Sequence, residues 1–253
     1  MKTNSKSGYN NNYELSYLAE LIDDFPCPRK KSAQNAQKLL ISRYLQLEQQ
    51  IPAILSFLDD SPISKIISEL MIIYPSADDQ FPNLFYFFMI TFHNYLFSKI
   101  LSNAGRFRKS SDPYGGRIGF GGSDHRIIGN FKYTGSPCNK IENDLRDCFQ
   151  LLRKNTDDPL ATSVEFYRRL VKIHPFYDGN GRIGRLILTI YNRYNSLYIK
   201  WSEIETGGNR TEFIKKLNEC HKREGQHVYP VYFDRLVSFF KKFTIPISDL
   251  TGN

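Results

Sequence analysis

A twelve-residue segment, His174-Pro-Phe-Tyr-Asp-Gly-Asn-Gly-Arg-Ile-Gly-Arg185, runs without a break into an apolar periodicity and constrains the fold more than any other stretch. Ile183, Leu186, Ile187, Ile190 and Tyr194 recur at i, i+3, i+4, i+7 and i+11, one buried face of a helix. Upstream, Leu160, Val164, Leu170, Val171 and Ile173 mix with Glu165, Arg168, Arg169 and Lys172, again at helical spacing. The pattern predicts a helix, a tight turn and a second helix, with Gly179-Asn180-Gly181 at the N-terminus of the second. Free backbone N–H groups and the helix dipole favour an anion there. The glycines lack Cβ, so the backbone can take left-handed angles and close directly on a phosphate. Gly179-x-Gly181-x-x-Gly184 also has the spacing of a dinucleotide-binding turn, with Glu203 and Glu205 about 20 residues on. That turn must follow a strand, and residues 160–173 read as helix, so helix–turn–helix is the better description.

The residue types in this turn point to phosphorus chemistry. Arg182 and Arg185, three apart, share one side of the first helical turns and offer fixed positive charge with bidentate donors. Asp178 beside the glycines would repel a phosphate unless a divalent cation bridged the two, as Mg²⁺ commonly does. His174 is the group whose ordinary pKa lies near neutrality, so it suits proton abstraction. Together they suggest transfer of a phosphorus-containing group to a hydroxyl.

Residues 174–185 resemble the signature of the Fic family, H-x-F-x-[D/E]-G-N-G-R-x-x-R, with every specified position matched. The resemblance implies transfer of AMP from ATP to a Ser, Thr or Tyr hydroxyl of a target protein, with release of pyrophosphate. By it His174 is the general base, Asp178 holds Mg²⁺, and Gly179, Asn180 and Gly181 form the anion hole. Arg182 contacts the phosphates, Arg185 clamps the γ-phosphate, and Phe176 is the buried pin that orients the loop. A kinase-like branch of the family carries lysine at the position of Gly181, and glycine here favours nucleotidyl transfer. The same pocket could also run hydrolytically and remove AMP from a modified protein.

The implied architecture is an all-α Fic fold with a small β-hairpin flap and an N-terminal helical region. Gly105-Arg-Phe-Arg108 resembles the family's Gly-x-Tyr/Phe-Arg element ahead of that flap. Residues 109–137 hold seven glycines and few helical signals, and Arg126–Ile128 with Asn130–Tyr133 are the expected strands. By the resemblance Phe131, Lys132 and Tyr133 belong to a flap that pairs with the target's extended backbone. Many relatives carry an inhibitory helix, [S/T]-x-x-x-E-[G/N], whose glutamate occupies the second signature arginine. Ser16 and Glu20 fit its first five positions, with Leu21 where Gly or Asn is expected. Glu48, Glu69 and Glu224 are poorer fits.

The rest of the chain agrees with a water-soluble enzyme placed in the cytoplasm. A mean hydropathy of −0.43 excludes a membrane-embedded chain, and a hydrophobic content of 41% excludes a disordered one. The formal charge of +8 is spread along the chain rather than stacked in one arm, which argues for ATP and an acidic target surface over nucleic acid. Four dispersed cysteines, Cys27, Cys138, Cys148 and Cys220, form no C-x-x-C pair, so reduced thiols are expected and no zinc site. Residues 1–80 read as a polar start, a short helix at 13–24 and two amphipathic helices near 32–58 and 61–73. Residues 81–243 are the expected Fic domain. In it, 81–101 is a core helix broken as a membrane span by Asn83, His93, Asn94 and Lys99. Helices near 140–154, 211–224 and 231–243 complete it, the signature helix is expected to end near Tyr198, and 244–253 is a tail.

Overall fold

The most apolar stretch of the chain forms the central helix α1 (Phe81–Phe97), which is covered on more than one side. This computed structural model describes residues 38–40, 42–43, 46–47, 49–51, 81–120, 133–153 and 156–250. Ser16, Glu20, Phe131, Lys132, the helix expected at 13–24, that at 61–73, and the strand expected at 126–128 lie outside the described residues. Those described between 38 and 51 are helical, and Leu40, Leu47 and Ile51 bury themselves in the same core as α1. Arg43 fixes this packing by donating to the Tyr95 carbonyl and to Ser98 Oγ at 3.2 Å. A helix wrapped in this way has no need of a polar face, which is why α1 reads as apolar all round. Among the described residues no helix is long and apolar enough to cross a membrane.

Beyond α1 come a two-residue strand β1 (Gly119–Phe120) and its antiparallel partner β2 (Tyr133–Thr134), the base of a hairpin. Then follow α2 (Ile141–Phe149), α3 (Pro159–Ile173), α4 (Asn180–Tyr194), β3 (Leu197–Ile199), α5 (Trp201–Ile204), α6 (Gly207–Arg223), α7 (Tyr229–Lys241) and β4 (Thr244–Pro246). The start of α3 is written in the sequence: Pro159 sits in its first turn, and Asp158 caps it by accepting from the Ala161 N–H at 2.9 Å. Ile141, Leu145, Cys148, Phe149 and Leu152 are buried as the spacing required, although the helix itself stops at Phe149.

Two apolar cores flank the helical hairpin α3–α4. Phe166, Leu170 and Ile173 of α3, with Ile183, Leu186, Ile187 and Ile190 of α4, face α1 and α2. Leu160, Val164 and Tyr167 of α3, with Leu188 of α4, face Trp201, Phe213, Leu236 and Phe240 in α5 to α7. The loop between α3 and α4 is therefore carried by two helices clamped on both sides. Buried Arg168 adds a polar tie, bonding Glu165 at 2.7 Å and Glu224 at the end of α6 at 2.9 Å.

Two expectations are corrected here. The signature helix ends at Tyr194, not near Tyr198, because Ser196 takes a left-handed φ of 59° that no helix continues. Residues 197–199 instead pair with 244–246, so the stretch expected as a plain tail returns as a strand. The pairing joins segments about 47 residues apart, and local periodicity carries no trace of such a contact. Because Ser196 bears a Cβ in a conformation that suits glycine, Ser196→Gly should stabilise the fold by about 0.5–1 kcal/mol in chemical denaturation. Unchanged or lower stability would show that the hydroxyl compensates for the strain.

Candidate active site

The α3–α4 loop gathers His174, Phe176, Asp178, Gly179, Asn180, Gly181, Arg182 and Arg185 at one end of the hairpin. His174 closes α3 as a left-handed cap, φ 53° and ψ 57°, with its N–H bonded to the Leu170 carbonyl at 3.0 Å. Such a conformation is uncommon for a residue with Cβ and needs outside support. The ring's Nδ1 lies 3.2 Å from the Val171 carbonyl, which fixes the proton on Nδ1 and leaves Nε2 as the basic nitrogen. Burial lowers the pKa of His174 to about 4; the Val171 bond opposes this, and the positive charge of Arg108 adds to it. At neutral pH the ring is an uncharged acceptor.

Phe176 is 1% exposed and its ring stacks on that of His93 at 3.7 Å. His93 is a residue that sequence reasoning noticed only as an interruption of an apolar run. Its Nδ1 accepts from the Gly105 N–H at 2.8 Å, so its Nε2 carries the proton and donates to the Asp178 carbonyl at 3.0 Å. Burial pushes its pKa down to about 3, which keeps this neutral tautomer. Asn180 holds the other side of the turn: its amide donates to the Phe176 carbonyl at 2.8 Å and accepts from the Phe176 N–H at 2.9 Å. The Asn180 side chain is thereby used within the loop, and what it offers an anion is its backbone N–H.

Only one of the two nest glycines uses its conformational freedom. Gly179 has φ +80°, and a Cβ there would meet the Phe97 ring at 2.7 Å. Gly181 is already helical, and a Cβ there would find ordinary contact distances, 3.7 Å to Arg185 Nη2 and to the Tyr167 hydroxyl. The first turn of α4 presents the N–H groups of Asn180, Gly181 and Arg182, for which the helix itself supplies no acceptor.

Both signature arginines meet carboxylates. Arg182 bonds Asp178 Oδ1 at 2.8 Å, and the same oxygen accepts from the Gly179 N–H. Arg185 Nη1 lies 2.8 Å from Glu205 Oε1, with side chains only 11% and 2% exposed, and its guanidinium sits 5.9 Å from the Trp201 ring centroid. Glu205, which the sequence placed only in a dinucleotide-turn pattern, is thus the described partner of the second signature arginine. The clue in the sequence was an acid beside an apolar Trp-x-x-Ile helix, a pattern that does not by itself name a partner. Among the described residues no three His, Cys, Asp or Glu side chains cluster as a metal site. Asp178 as a lone carboxylate suits an ion that draws its other oxygens from bound phosphate and water, as Mg²⁺ does.

The hairpin base leans on this loop. A Cβ on Gly135 would come within 3.1 Å of His174 Cβ. Tyr133, expected as part of a target-docking flap, turns its side chain inward: its hydroxyl donates to the Asn218 carbonyl at 2.9 Å, and its ring lies 5.5 Å from that of His221.

Residues 86–191 match the Fic/DOC family. Over these residues the chain is similar to Fic domains. A curated relative from Aquifex aeolicus named "Probable protein adenylyltransferase" is 31% identical over 106 residues, which cover 41% of this chain and 31% of that protein. The chain thus spans about a third of that relative's length. A solved Fic family protein from Desulfovibrio desulfuricans shares the fold at a TM-score of 0.50 and 16% identity, over 92% of this chain and 64% of that one. The ADP-bound N-terminal Fic domain of a Bartonella quintana Bep effector is 21% identical, at a TM-score of 0.44 over 64% of this chain and 74% of that one. At 16% identity the Desulfovibrio structure shows a likeness of fold alone.

The reciprocal Asn180–Phe176 pairing makes a direct prediction for the α3–α4 loop. Asn180→Ala strands a buried N–H and a buried carbonyl, and should destabilise the protein by about 2–4 kcal/mol in denaturant unfolding. A loss under about 0.5 kcal/mol would mean that water or backbone replaces both partners.

Proposed function

We propose that this Fic domain, taken as residues 81–243, transfers AMP from ATP to a hydroxyl of a protein target. The observation that carries the reading is the pairing, on one buried loop, of a neutral His174 with a basic Nε2 and the open first turn of α4. The acceptor hydroxyl attacks the α-phosphorus, its proton passes to His174 Nε2, and the bond from the α-phosphorus to the bridging oxygen breaks. Pyrophosphate leaves and a phosphodiester to the protein remains. Backbone N–H groups of Asn180, Gly181 and Arg182, with the Arg182 and Arg185 guanidiniums, would hold the phosphates. Asp178 would hold Mg²⁺, which when bound neutralises phosphate charge. Phe176, locked on His93, keeps the loop from collapsing into the pocket.

Incubating the full chain with α-³²P-ATP, Mg²⁺ and a protein mixture should place label on protein. Label on free AMP alone, or removed from a pre-modified protein, would instead support the hydrolytic direction. His174→Ala should cut labelling at least ~100-fold with ATP binding nearly intact, the usual worth of a positioned base. In the wild type the base form persists as pH falls through 6 and is lost only near 4, because the lowered pKa keeps the ring unprotonated. An acid limb centred near 6.5 would contradict that assignment.

Arg185 clamps phosphate in this reading while Glu205 neutralises it. The expected inhibitory pair of Ser16 and Glu20 lies outside the described residues, so Glu205 is the acid to test. Glu205→Gln keeps the shape but removes the competing charge, and should raise ATP affinity about three- to tenfold. Adding Arg185→Ala should erase the gain. Weaker ATP binding by Glu205→Gln would show that Glu205 orients Arg185 for the nucleotide rather than competing with it.

A further inference from the structure

Arg108 stands where three segments of the chain meet, and no role has been given to its side chain. It is 2% exposed, yet every edge of its guanidinium is engaged. Nε donates to the His174 carbonyl at 2.7 Å. Nη2 donates to the Ser136 carbonyl at 2.9 Å and the Ile173 carbonyl at 3.3 Å, and Nη1 to the carbonyl of Gly116. The residue's own N–H donates to the Pro175 carbonyl at 3.0 Å. Gly116 precedes β1 and Ser136 follows β2, so one planar cation joins both legs of the hairpin to the backbone that carries His174.

A second observation points the same way. Gly135, between β2 and Ser136, has no room for a side chain: a Cβ would lie 2.9 Å from Arg108 Nη2, 3.0 Å from Ile118 Cγ2 and 3.1 Å from His174 Cβ. The returning leg therefore runs directly over the guanidinium. Its neighbours complete the seam, with the Ser136 N–H on the Ile173 carbonyl at 3.0 Å and the Gly135 N–H on the Ile118 carbonyl at 3.1 Å. The side-chain contacts of Arg108 fall on residues 116, 136, 138, 173 and 174, away from the first turn of α4. A lysine cannot copy this arrangement, because an ammonium lacks the rigid fork that serves separate carbonyls at once.

We propose that Arg108 is a positioning residue that sets the height of the hairpin base over His174 and so governs how a protein acceptor meets the imidazole, leaving nucleotide binding aside. The proposal rests on the transferase reading and assigns the specificity for the acceptor step within it. An extended acceptor segment added to the hairpin edge takes its register from that edge. A shift of about 1 Å there is enough to misplace the hydroxyl and slow transfer by about 100-fold.

The test uses the full chain with Arg108→Lys, Arg108→Gly and Gly135→Ala, the last retaining the cation but displacing it. Backbone hydrogen exchange should speed up about tenfold or more at Gly135 and Ser136 in each variant, with the α4 interior unchanged. ATP affinity should stay within about threefold, while α-³²P label transferred to protein falls about 30-fold or more, as a lower kcat/KM for acceptor. Guanidinium ion at millimolar concentration should restore exchange protection and labelling to Arg108→Gly, and ammonium should not. Equal losses of ATP binding and of labelling, or unchanged exchange at Gly135 and Ser136 in Arg108→Lys and Gly135→Ala, would overturn the proposal. The exchange measurement needs no turnover. If the wild type transfers no label, the transferase reading fails, while the Arg108 seam is judged by exchange and guanidinium rescue.

Discussion

Buried carbonyls between Ile173 and Asp178 are the constraint on which this site depends. The chain leaves α3 there and enters α4 six residues later, so these groups have no continuing helix to pair with. The Ile173 and His174 carbonyls go to Arg108, the Pro175 carbonyl to the Arg108 N–H, the Phe176 carbonyl to Asn180, and the Asp178 carbonyl to His93. Each donor is itself buried, and they come from α1, from the segment after it and from α4. A loop satisfied group by group in this way has one conformation available, because any other would leave several polar atoms unpaired at ~1–3 kcal/mol each. That determinacy lets His174 hold left-handed angles and Gly179 turn the chain into α4.

The same loop concentrates positive charge and then balances it. Arg182 is matched by Asp178, and Arg185 by Glu205, each pair inside a partly dry environment. Buried guanidiniums without partners would be costly, and these carboxylates offset that cost; Glu205 Oε2 also lies 3.7 Å from Arg210 Nε. In the proposed transfer, an arriving polyphosphate would replace carboxylates at these donors and not meet bare cations. Glu205 reaches Arg185 from the α5–α6 junction, so the second core helps to decide how available that arginine is.

Much of the fold was legible because it is local. The faces of α3 and α4 follow from apolar spacing, the start of α3 from Pro159, their junction from the glycines, and the burial of Leu145 and Leu152 from the α2 period. Features that were not legible are those made by contacts distant in sequence. The β3–β4 pairing stops the signature helix early and turns an expected tail into a strand. Tyr133, expected in the flap, makes a contact that its neighbours in sequence do not signal, its hydroxyl donating to the Asn218 carbonyl on α6. His93 was read as a break in an apolar run, and it is the donor that holds the Asp178 carbonyl.

The sequence by itself determined that His174, Asp178, two arginines and an open helix N-terminus occupy one turn, since residues this close cannot be separated by folding. It also determined the helical class, because periodicity near 3.6 runs through the segments that became α2, α3 and α4. Tertiary structure alone decided which nitrogen of His174 is basic, that Arg185 answers to Glu205, and that Arg108 joins the hairpin to the loop. Those outcomes turn on partners 20 and 66 positions apart or on a carbonyl's direction. Such partners are chosen by the packing of two cores, a property of the whole chain that no single segment encodes.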